Sequence, residues 1–444
     1  MGSRRKSLCL SISVLTLATI GLPMGAQAGT LKVIANGNST TGSIFYGSVL
    51  LGAGGKLYVT ATEGGPSGNG SVLVFTPPAA GKTAWTGAVI HKFLGLPSDG
   101  KTSQAALIAD KAGALYGTTT SASADNQGNV FKLTPPAAGQ KVWKETILYS
   151  FGTKVHDGSQ SRAPLVADAK GNLYGTTIYG GTSALCGTGT GCGTVFKLTP
   201  PAAGKTAWTE TVIHSFGTGA KDGRLPELSP LILNAKGEIF GTAGNGGTFN
   251  EGVAFKLTPP AAGKTAWTET ILTNFGAGGV GGNDGGSVGG LVFGKTGMLY
   301  GALAEGGTGF GSVYQLTPPA SGNGAWKQTE LYGFKEFDDC NNPQPSLIID
   351  AAGTLWGTAQ NAGKVPPSGV AAGCVFSIKP SGASSKETIA YTFTAPPGGS
   401  PRQGSMLFAA LVADAKGDLF GTTISGGAFS LGTIFELTGS GFAK

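Results

Sequence analysis

Charged residues and histidine are scarce in this chain, and sustained helical patterns are missing. Asp, Glu, Lys and Arg make up 12% of the 444 residues, and there are three histidines. This charged fraction is about half of the usual share. Because no segment combines helical periodicity with helix caps, a helical domain is excluded. No apolar run long enough to span a membrane follows Ala28.

Glycine and aromatic residues, by contrast, are abundant. The chain contains 78 glycines, 24 prolines, 22 phenylalanines and 10 tyrosines. Glycine and proline are the two poorest helix formers, so this composition favours an all-β structure. A strict G-X-Y period is absent, which excludes collagen. The 40% hydrophobic content also argues against disorder, because it can supply a core.

The N-terminal segment Met1–Ala28 has the pattern of a signal peptide. A basic stretch, Arg4 to Lys6, precedes the apolar segment Leu8–Leu22 and an A-x-A cleavage sequence at Ala26–Ala28. Removing this leader takes away three positive charges, so the formal net charge falls from +7 to +4 (7 − 3 = 4). We therefore expect an exported protein in the periplasm or outside the cell, without a membrane span.

Four cysteines remain after the leader, and an even number in an exported chain indicates disulfides. Cys186 and Cys192 enclose a short loop of Gly and Thr, and we expect them to pair. This leaves Cys340 with Cys374 as a second pair. A metal site is the alternative for four cysteines, but the chain has no C-x-x-C pair. Two disulfides and no metal are the prediction.

A four-residue motif of the type Leu-Tyr-Gly-Thr recurs seven times at nearly regular intervals along the chain. Each period reads as four short strands, A to D, with β-branched and aromatic runs between Gly and Pro clusters. Seven periods of four strands predict a seven-bladed β-propeller. The copies are Leu57–Thr60, Leu115–Thr118, Leu173–Thr176, Ile239–Thr242, Leu299–Ala302, Leu355–Thr358 and Leu419–Thr422.

The seventh repeat ends soon after Ile434–Leu437, with no room for its strand D. The segment Thr30–Ala35 resembles a strand D, and we expect it to complete the last blade and close the ring. Residues 29–444 then form one domain. Its repeats lie near 44–95, 104–152, 163–217, 229–276, 289–334, 346–393 and 410–439 plus 30–36.

Three segments of the third repeat carry a family resemblance. Gly171–Thr177, Gly193–Pro200 and Trp208–Thr211 resemble the GloVer tandem repeat of exported bacterial choice-of-anchor proteins. The resemblance extends over nearly the whole chain after the leader. It implies an extracytoplasmic location and a β-propeller-like fold, and it implies neither an activity nor catalytic residues.

The D–A and B–C connections of a propeller open on one face, where ligands usually bind. Four D–A connections contain Asp-Gly, at Asp99, Asp157, Asp222 and Asp284. Turn formation is the favoured interpretation, because Asp bonds its own backbone and Gly adopts positive φ. The alternative is a ring of carboxylates around a polar ligand or Ca²⁺, which needs six to eight oxygen ligands. No cofactor is otherwise expected.

Arginine is confined to the same face once the leader is removed. Arg162, Arg224 and Arg402 all fall in D–A connections. The planar guanidinium suits acidic groups, so these residues are candidates for ligand recognition. Structural pairing with a nearby acid is an equally weighted alternative.

The histidines offer one candidate for chemistry. His91 and His214 occupy a strand-D position that other repeats fill with tyrosine, which indicates a structural role. His156 has no counterpart in the other repeats and stands beside Asp157, so these two are the candidates for acid–base catalysis.

The leading hypothesis from the sequence is an exported binding module that presents its D–A and B–C loops to a glycan, a protein or a small polar ligand. A propeller hydrolase or lyase on carbohydrate or lactone substrates is the second hypothesis, and a structural envelope or matrix protein is the third. Nucleic acid is not an expected partner, because the aromatic residues lie in strands rather than among basic residues. A monomer is expected.

Overall fold

The computed structural model describes residues 29–95, 99–121, 127–187, 190–227, 229–276, 288–305, 309–320, 324–336, 339–344, 346–362, 370–382, 384–395 and 401–444. The expected signal peptide at residues 1–28 and the candidate Asp284 lie outside these ranges.

Nearly all regular structure is β-strand, in seven successive groups. The first strand is β1 (Thr30–Asn36). Blade 1 has β2 (Leu50–Leu51), β3 (Leu57–Ala61), β4 (Ser71–Thr76) and β5 (Thr86–Lys92), and blade 2 has β6 (Ile108–Ala109), β7 (Leu115–Thr119), β8 (Asn129–Thr134) and β9 (Lys144–Ser150). Blade 3 comprises β10 (Gly158–Ser159), β11 (Val166–Ala167), β12 (Leu173–Thr177), β13 (Tyr179–Gly180), β14 (Thr194–Thr199) and β15 (Thr209–Ser215). Blade 4 comprises β16 (Gly223–Arg224), β17 (Ile232–Leu233), β18 (Ile239–Ala243), β19 (Asn245–Gly246), β20 (Val253–Thr258) and β21 (Thr268–Asn274).

Blades 5 to 7 continue this order. Blade 5 has β22 (Val292–Phe293), β23 (Leu299–Leu303), β24 (Ser312–Thr317) and β25 (Lys327–Gly333). Blade 6 has β26 (Cys340–Pro343), β27 (Ile348–Ile349), β28 (Leu355–Ala362), β29 (Val370–Lys379) and β30 (Lys386–Ala395), and blade 7 has β31 (Val412–Ala413), β32 (Leu419–Thr423) and β33 (Thr433–Thr438). Besides these strands, the described residues contain two short 3₁₀ turns and no α-helix. Within those residues, no helix has the length and apolarity needed to cross a membrane.

The sheets confirm the predicted seven-bladed propeller. Each blade is an antiparallel sheet in the order A-B-C-D, such as β2-β3-β4-β5. In the last blade, β1 pairs with β33 in the strand-D place, with Thr30 opposite Thr438 and Asn36 opposite Thr433. The N-terminal strand therefore closes the ring, as the sequence predicts.

The glycine of the repeated motif is required by an aromatic ring on the adjacent strand. Gly175 of β12 lies directly opposite Phe196 of β14, and a Cβ at Gly175 would stand 2.6 Å from Cζ of that ring. Blades 2, 4, 5, 6 and 7 repeat this arrangement, with tyrosine as the ring in blade 5. In blade 1 the glycine is replaced by Val59, and the opposing residue is Leu73. The side chains at these two positions therefore change in size together: glycine faces a large ring, and valine faces the smaller leucine.

Adjacent blades are joined by aromatic contacts and by threonine. The Phe that follows strand D packs edge to face on the strand-C ring of the next blade, with centroids 5.1 Å apart for Phe151 and Phe196. The motif threonine donates a hydrogen bond to a carbonyl that precedes strand A of the next blade, and Thr422 donates to Gly47 across the closure. We call these bonds the threonine ties. They are made by Thr60, Thr118, Thr176, Thr242, Thr358 and Thr422.

Both predicted disulfides are present. Cys186 bonds to Cys192 within the B–C connection of blade 3. Cys340 bonds to Cys374, joining β26 to β29. Both residues of the second pair are buried in a cluster that also contains Ala302 of blade 5. This disulfide therefore lies at the interface of blades 5 and 6, where Ala302 takes the place of a motif threonine.

Candidate functional site

In each blade, described residues of the D–A connection pair in antiparallel fashion with the end of strand B or with the residues that follow it. The ribbon is β10–β13 in blade 3 and β16–β19 in blade 4, and Lys101 pairs with Ser121 in blade 2. These ribbons fix the loops of one face around the channel. The sheet scaffold thus determines where the side chains of this loop face stand.

A cleft of about 560 Å³ opens on the loop face at blades 2 and 3. Its wall includes the backbone of the β10–β13 ribbon and the half-exposed ring of Tyr179. Lys154 and His156 supply the basic side chains, and the neutral polar ones are Gln127, Ser159, Gln160, Thr182, Ser183 and Thr190. Polar side chains therefore outnumber apolar ones in the cleft wall, and Tyr179 supplies an aromatic surface.

The B–C connection of blade 3 forms one side of this cleft because it is longer than its counterparts. It runs from Thr177 to Thr194, whereas the equivalent connection of blade 4 runs only from Ala243 to Val253. The Cys186–Cys192 bond closes the added segment on itself. Ser183 also donates a hydrogen bond to the carbonyl of Gly217, 2.8 Å away. The longer loop is thus held in place over the ribbon.

His156 and Asp157 have different environments although they are adjacent in sequence. His156 is exposed, has a φ of 62° and lines the cleft. Asp157 is buried, and its carboxylate accepts hydrogen bonds from the Tyr149 hydroxyl at 2.7 Å and from the backbone N–H of Thr153 and Gly158. The carboxylate that would assist His156 is therefore engaged in holding the D–A turn.

The mouth of the central channel combines an aromatic pair with an ion pair. Tyr46 and Phe408 meet across the interface of blades 7 and 1, with ring centroids 5.8 Å apart. Arg162 pairs with Glu227 across the interface of blades 3 and 4, on the opposite side of the ring. Tyr46, Phe408 and Arg162 lie around a constriction of about 50 Å³, beside Gln104. Oε1 of Gln104 and Nε of Arg162 are buried without a hydrogen-bond partner.

These mouth residues follow a repeated backbone conformation. In six blades, the residue two positions before the mouth residue is not glycine and has a φ between 53° and 58°. This left-handed region is unfavourable for β-branched residues such as Ile44 and Thr102. The side chain varies while the conformation does not: the six are Ile44, Thr102, Gln160, Leu225, Asn342 and Met406.

The structure separates the three candidate arginines. Arg162 lines the channel mouth. Arg224 lies half-buried on β16, with its Nε buried and lacking a hydrogen-bond partner. Arg402 is exposed in the turn that precedes blade 7. None of the three lines the cleft at blades 2 and 3.

The candidate aspartates of blades 1 and 3 lie at the interfaces with the next blades. Asp99 and Asp222 each face a histidine of their own blade and a glutamate of the following one. In the first group, burial and the neighbouring carboxylate of Asp99 raise the pKa of Glu145 to about 8. In the second, burial is also the main cause that raises the pKa of Glu269, to about 7. Both aspartates also accept turn N–H groups, from Leu94 and Thr218.

Sequence reasoning overlooked two features of this face. The cleft residues Tyr179, Lys154 and Gln127 were not singled out, although the extra length of the blade-3 loop and its disulfide could have indicated them. The grouping of His91 with Glu145 depends on a contact between blades, which no local pattern encodes. From the sequence alone, a histidine in strand D is interpreted only as a substitute for tyrosine.

The geometry defines a seven-bladed β-propeller with a constant framework and a variable loop face. At the level of family, the Gloeobacter/Verrucomicrobia repeat matches residues 23–231 and 227–443, and the chain belongs to this family. No curated protein sequence matches the chain.

Two solved structures illustrate the fold. The extracellular domain of a putative one-component system from B. thetaiotaomicron is 12% identical, with a TM-score of 0.50 over 93% of this chain and 43% of that one. This chain therefore spans less than half of that structure's length. A polysaccharide lyase of family PL25, an ulvan lyase bound to -[GlcA(1-4)Rha3S]-, is 9% identical, with a TM-score of 0.51 over 91% of this chain and 94% of that one. At such identities the likeness concerns the fold alone.

Proposed function

We propose that this protein is an exported binding module whose loop face recognises a glycan carrying acidic groups. The observation that supports this most is the cleft of about 560 Å³ at blades 2 and 3, with its polar side chains and the exposed Tyr179. Pockets for apolar small molecules are lined mainly by hydrophobic side chains. The composition of this cleft instead suits a ligand with many hydroxyl groups.

Tyr179 offers the surface against which a sugar ring would pack. Its side chain is 36% exposed although it lies on β13. A tyrosine combines an apolar ring with a polar hydroxyl, which suits a ligand that has both C–H faces and hydroxyl groups. Gln127, Gln160 and Ser183 lie along the same cleft and supply donors and acceptors.

The basic groups of the cleft account for the acidic part of the ligand. Lys154 and His156 both line it, and among the residues that the structure describes its wall contains one acid, Asp157. That carboxylate already accepts three hydrogen bonds from protein donors. Nζ of Lys154 is paired with Oε2 of Glu210, 3.2 Å away, so the exposed imidazole of His156 is the basic group of the wall that would meet an anion, such as a uronate or a sulfated sugar.

The same observations favour binding over catalysis at this cleft. A glycoside hydrolase needs two carboxyl groups on either side of the scissile bond. Within the described part of the chain, the cleft wall contributes one carboxylate, and it is committed to the turn below His156. We therefore prefer the binding module to the hydrolase hypothesis.

Export agrees with the disulfides, which persist in oxidising compartments. The loops, rather than the blades, would then face an extracellular or envelope glycan. Ca²⁺ plays no part in this proposal, because the carboxylates of Asp99, Asp157 and Asp222 accept turn hydrogen bonds instead of converging on one point.

A glycan array that includes uronic and sulfated oligosaccharides tests the proposal. Binding should fall at least about tenfold in Tyr179→Ala and several-fold in His156→Ala, because each removes a cleft contact. Phe429→Ala is the matched control, since Phe429 is an exposed aromatic residue in the B–C loop of blade 7. Loss of binding in the control but not in Tyr179→Ala would refute the assignment of the cleft.

A further inference from the structure

Two groups of His, Asp and Glu side chains lie between adjacent blades, away from the cleft. His91 and Asp99 of blade 1 meet Glu145 of blade 2. At the equivalent interface of blades 3 and 4, His214 and Asp222 meet Glu269. In each group, one ligand-type atom from each residue lies within 4.8 Å of the other two.

The distances in the two groups are the same. The histidine Nε2 stands 3.4 Å from the aspartate oxygen and 3.4 Å from the glutamate oxygen in both. This exceeds the roughly 2.7–3.2 Å expected for an N–H···O hydrogen bond. Tetrahedral coordination with metal–ligand bonds of about 2.1 Å places neighbouring ligand atoms about 3.4 Å apart. The His–carboxylate spacing therefore also matches that of ligands around a small divalent cation.

The groups are also incompletely satisfied by protein partners. Nε2 of His91 and Oε1 of Glu145 are buried and have no hydrogen bond of normal geometry, and the same holds for Oε1 of Glu269. The aspartates, in contrast, are held by turn N–H groups, as expected of oriented metal ligands. Each histidine ring is fixed edge-on against the following Phe, at 4.9 Å for His91 and 4.6 Å for His214.

The interface of blades 2 and 3 shows what replaces these groups elsewhere. There Tyr149 stands at the histidine position and donates to Asp157 at 2.7 Å. Lys154 extends from the D–A loop, and its Nζ lies 3.2 Å from Oε2 of Glu210. Lys154 is the third residue after Phe151, the Phe that follows strand D of blade 2; the equivalent residue after Phe216 of blade 3 is Gly219. At this interface Lys154 supplies a cation and the strand-D residue is Tyr149, whereas in blade 3 the position of the lysine is taken by Gly219 and the strand-D residue is His214.

We propose that His91–Asp99–Glu145 and His214–Asp222–Glu269 are two Zn²⁺ sites that join blade 1 to blade 2 and blade 3 to blade 4. One imidazole and two carboxylates supply three of the four ligands of a tetrahedral zinc ion. The mixed nitrogen and oxygen donors suit Zn²⁺ better than Ca²⁺, which takes six to eight oxygens. Because the ligands come from neighbouring blades, the ion stabilises the closed ring.

The test uses the untagged full chain, expressed with its own leader, stripped with a chelator and titrated with Zn²⁺. Calorimetry should give two equivalents per chain, and saturating Zn²⁺ should raise Tm by at least about 2 °C. His91→Tyr and His214→Tyr adopt the residue that the chain itself uses at Tyr149, so both variants should fold. Each should lose one equivalent, and the double variant should lose both together with the Tm shift.

His156→Ala is the control, since His156 is the remaining histidine and lies outside both groups. It should keep two equivalents. Equal zinc binding by the double variant and the original chain, or the absence of a zinc-dependent Tm shift, would overturn the proposal and leave direct contacts between histidine and carboxylate as the explanation of these groups. If the chain binds a single equivalent of Zn²⁺ and only one of the two tyrosine variants removes it, the zinc site probed by the other variant is overturned.

Discussion

The inner framework of the propeller and its loop face differ in how strictly they repeat. Inside the blades, the glycine of strand B faces an aromatic ring of strand C in six of seven cases. The threonine ties likewise recur at six interfaces. On the loop face the backbone repeats, but residues at matching positions range from Tyr46 to Arg162 and Glu227.

This contrast separates packing from recognition. A buried position is constrained by the volume of its neighbours, so it changes only together with them, as Val59 does with Leu73. A loop position held by ribbon hydrogen bonds can change its side chain without altering the backbone. Variation on a constant scaffold is what a binding surface requires.

The largest effect is expected at the one interface where Ala302 replaces the threonine of the tie. Removing the Cys340–Cys374 bond by Cys340→Ala/Cys374→Ala should lower the free energy of unfolding by about 4 kcal/mol, because it releases a loop of 34 residues in the unfolded chain. Cys186→Ala/Cys192→Ala opens a loop of six residues and should cost about 2 kcal/mol. Denaturant unfolding of both variants measures the difference. Equal losses would mean that loop length does not control these bonds.

The second effect tests whether the framework glycines depend on their aromatic partners. Gly175→Val places side-chain atoms against Phe196 and should destabilise the protein by about 3 kcal/mol. Adding Phe196→Leu recreates the Val59–Leu73 pair of blade 1. The double variant should therefore be more stable than Gly175→Val alone, with a favourable coupling of at least about 1 kcal/mol. Additive losses would show that the two positions are independent.

A smaller loss is expected from a single threonine tie. Thr176→Val keeps the shape of the side chain but removes its hydrogen bond to the carbonyl of Pro226, 3.3 Å away in a buried interface. The unpaired carbonyl should cost about 1–2 kcal/mol. Thr211→Val, on the exposed part of β15, is the control and should change stability by less than about 0.5 kcal/mol. Thermal unfolding that ranks the control as the more damaging would contradict the role of the ties.

The framework could be predicted from sequence because its causes are local and repeated. The spacing of the Leu-Tyr-Gly-Thr copies gives seven blades, and the missing last strand D gives the closure by β1. Both disulfides follow from counting cysteines. The His–Asp–Glu groups could not be predicted in this way. They depend on how a D–A loop of one blade meets strand D of the next, as Asp222 and His214 meet Glu269, and that contact has no signature in either segment alone.

The smallest effect on stability is expected at the channel mouth, where a substitution should weaken glycan binding more than it destabilises the fold. The Arg162–Glu227 pair is partly exposed, so Arg162→Ala should cost less than about 1 kcal/mol. The same change leaves Glu227 uncompensated on the loop face, which should weaken binding of an anionic glycan several-fold at low salt and less at high salt. Arg402→Ala removes an exposed arginine of the same face and serves as the control for net charge. If both variants weaken binding equally, the field of the whole face controls affinity. If Arg162→Ala acts alone, the ligand reaches from the cleft to the channel mouth, and side chains that vary between blades define one continuous surface.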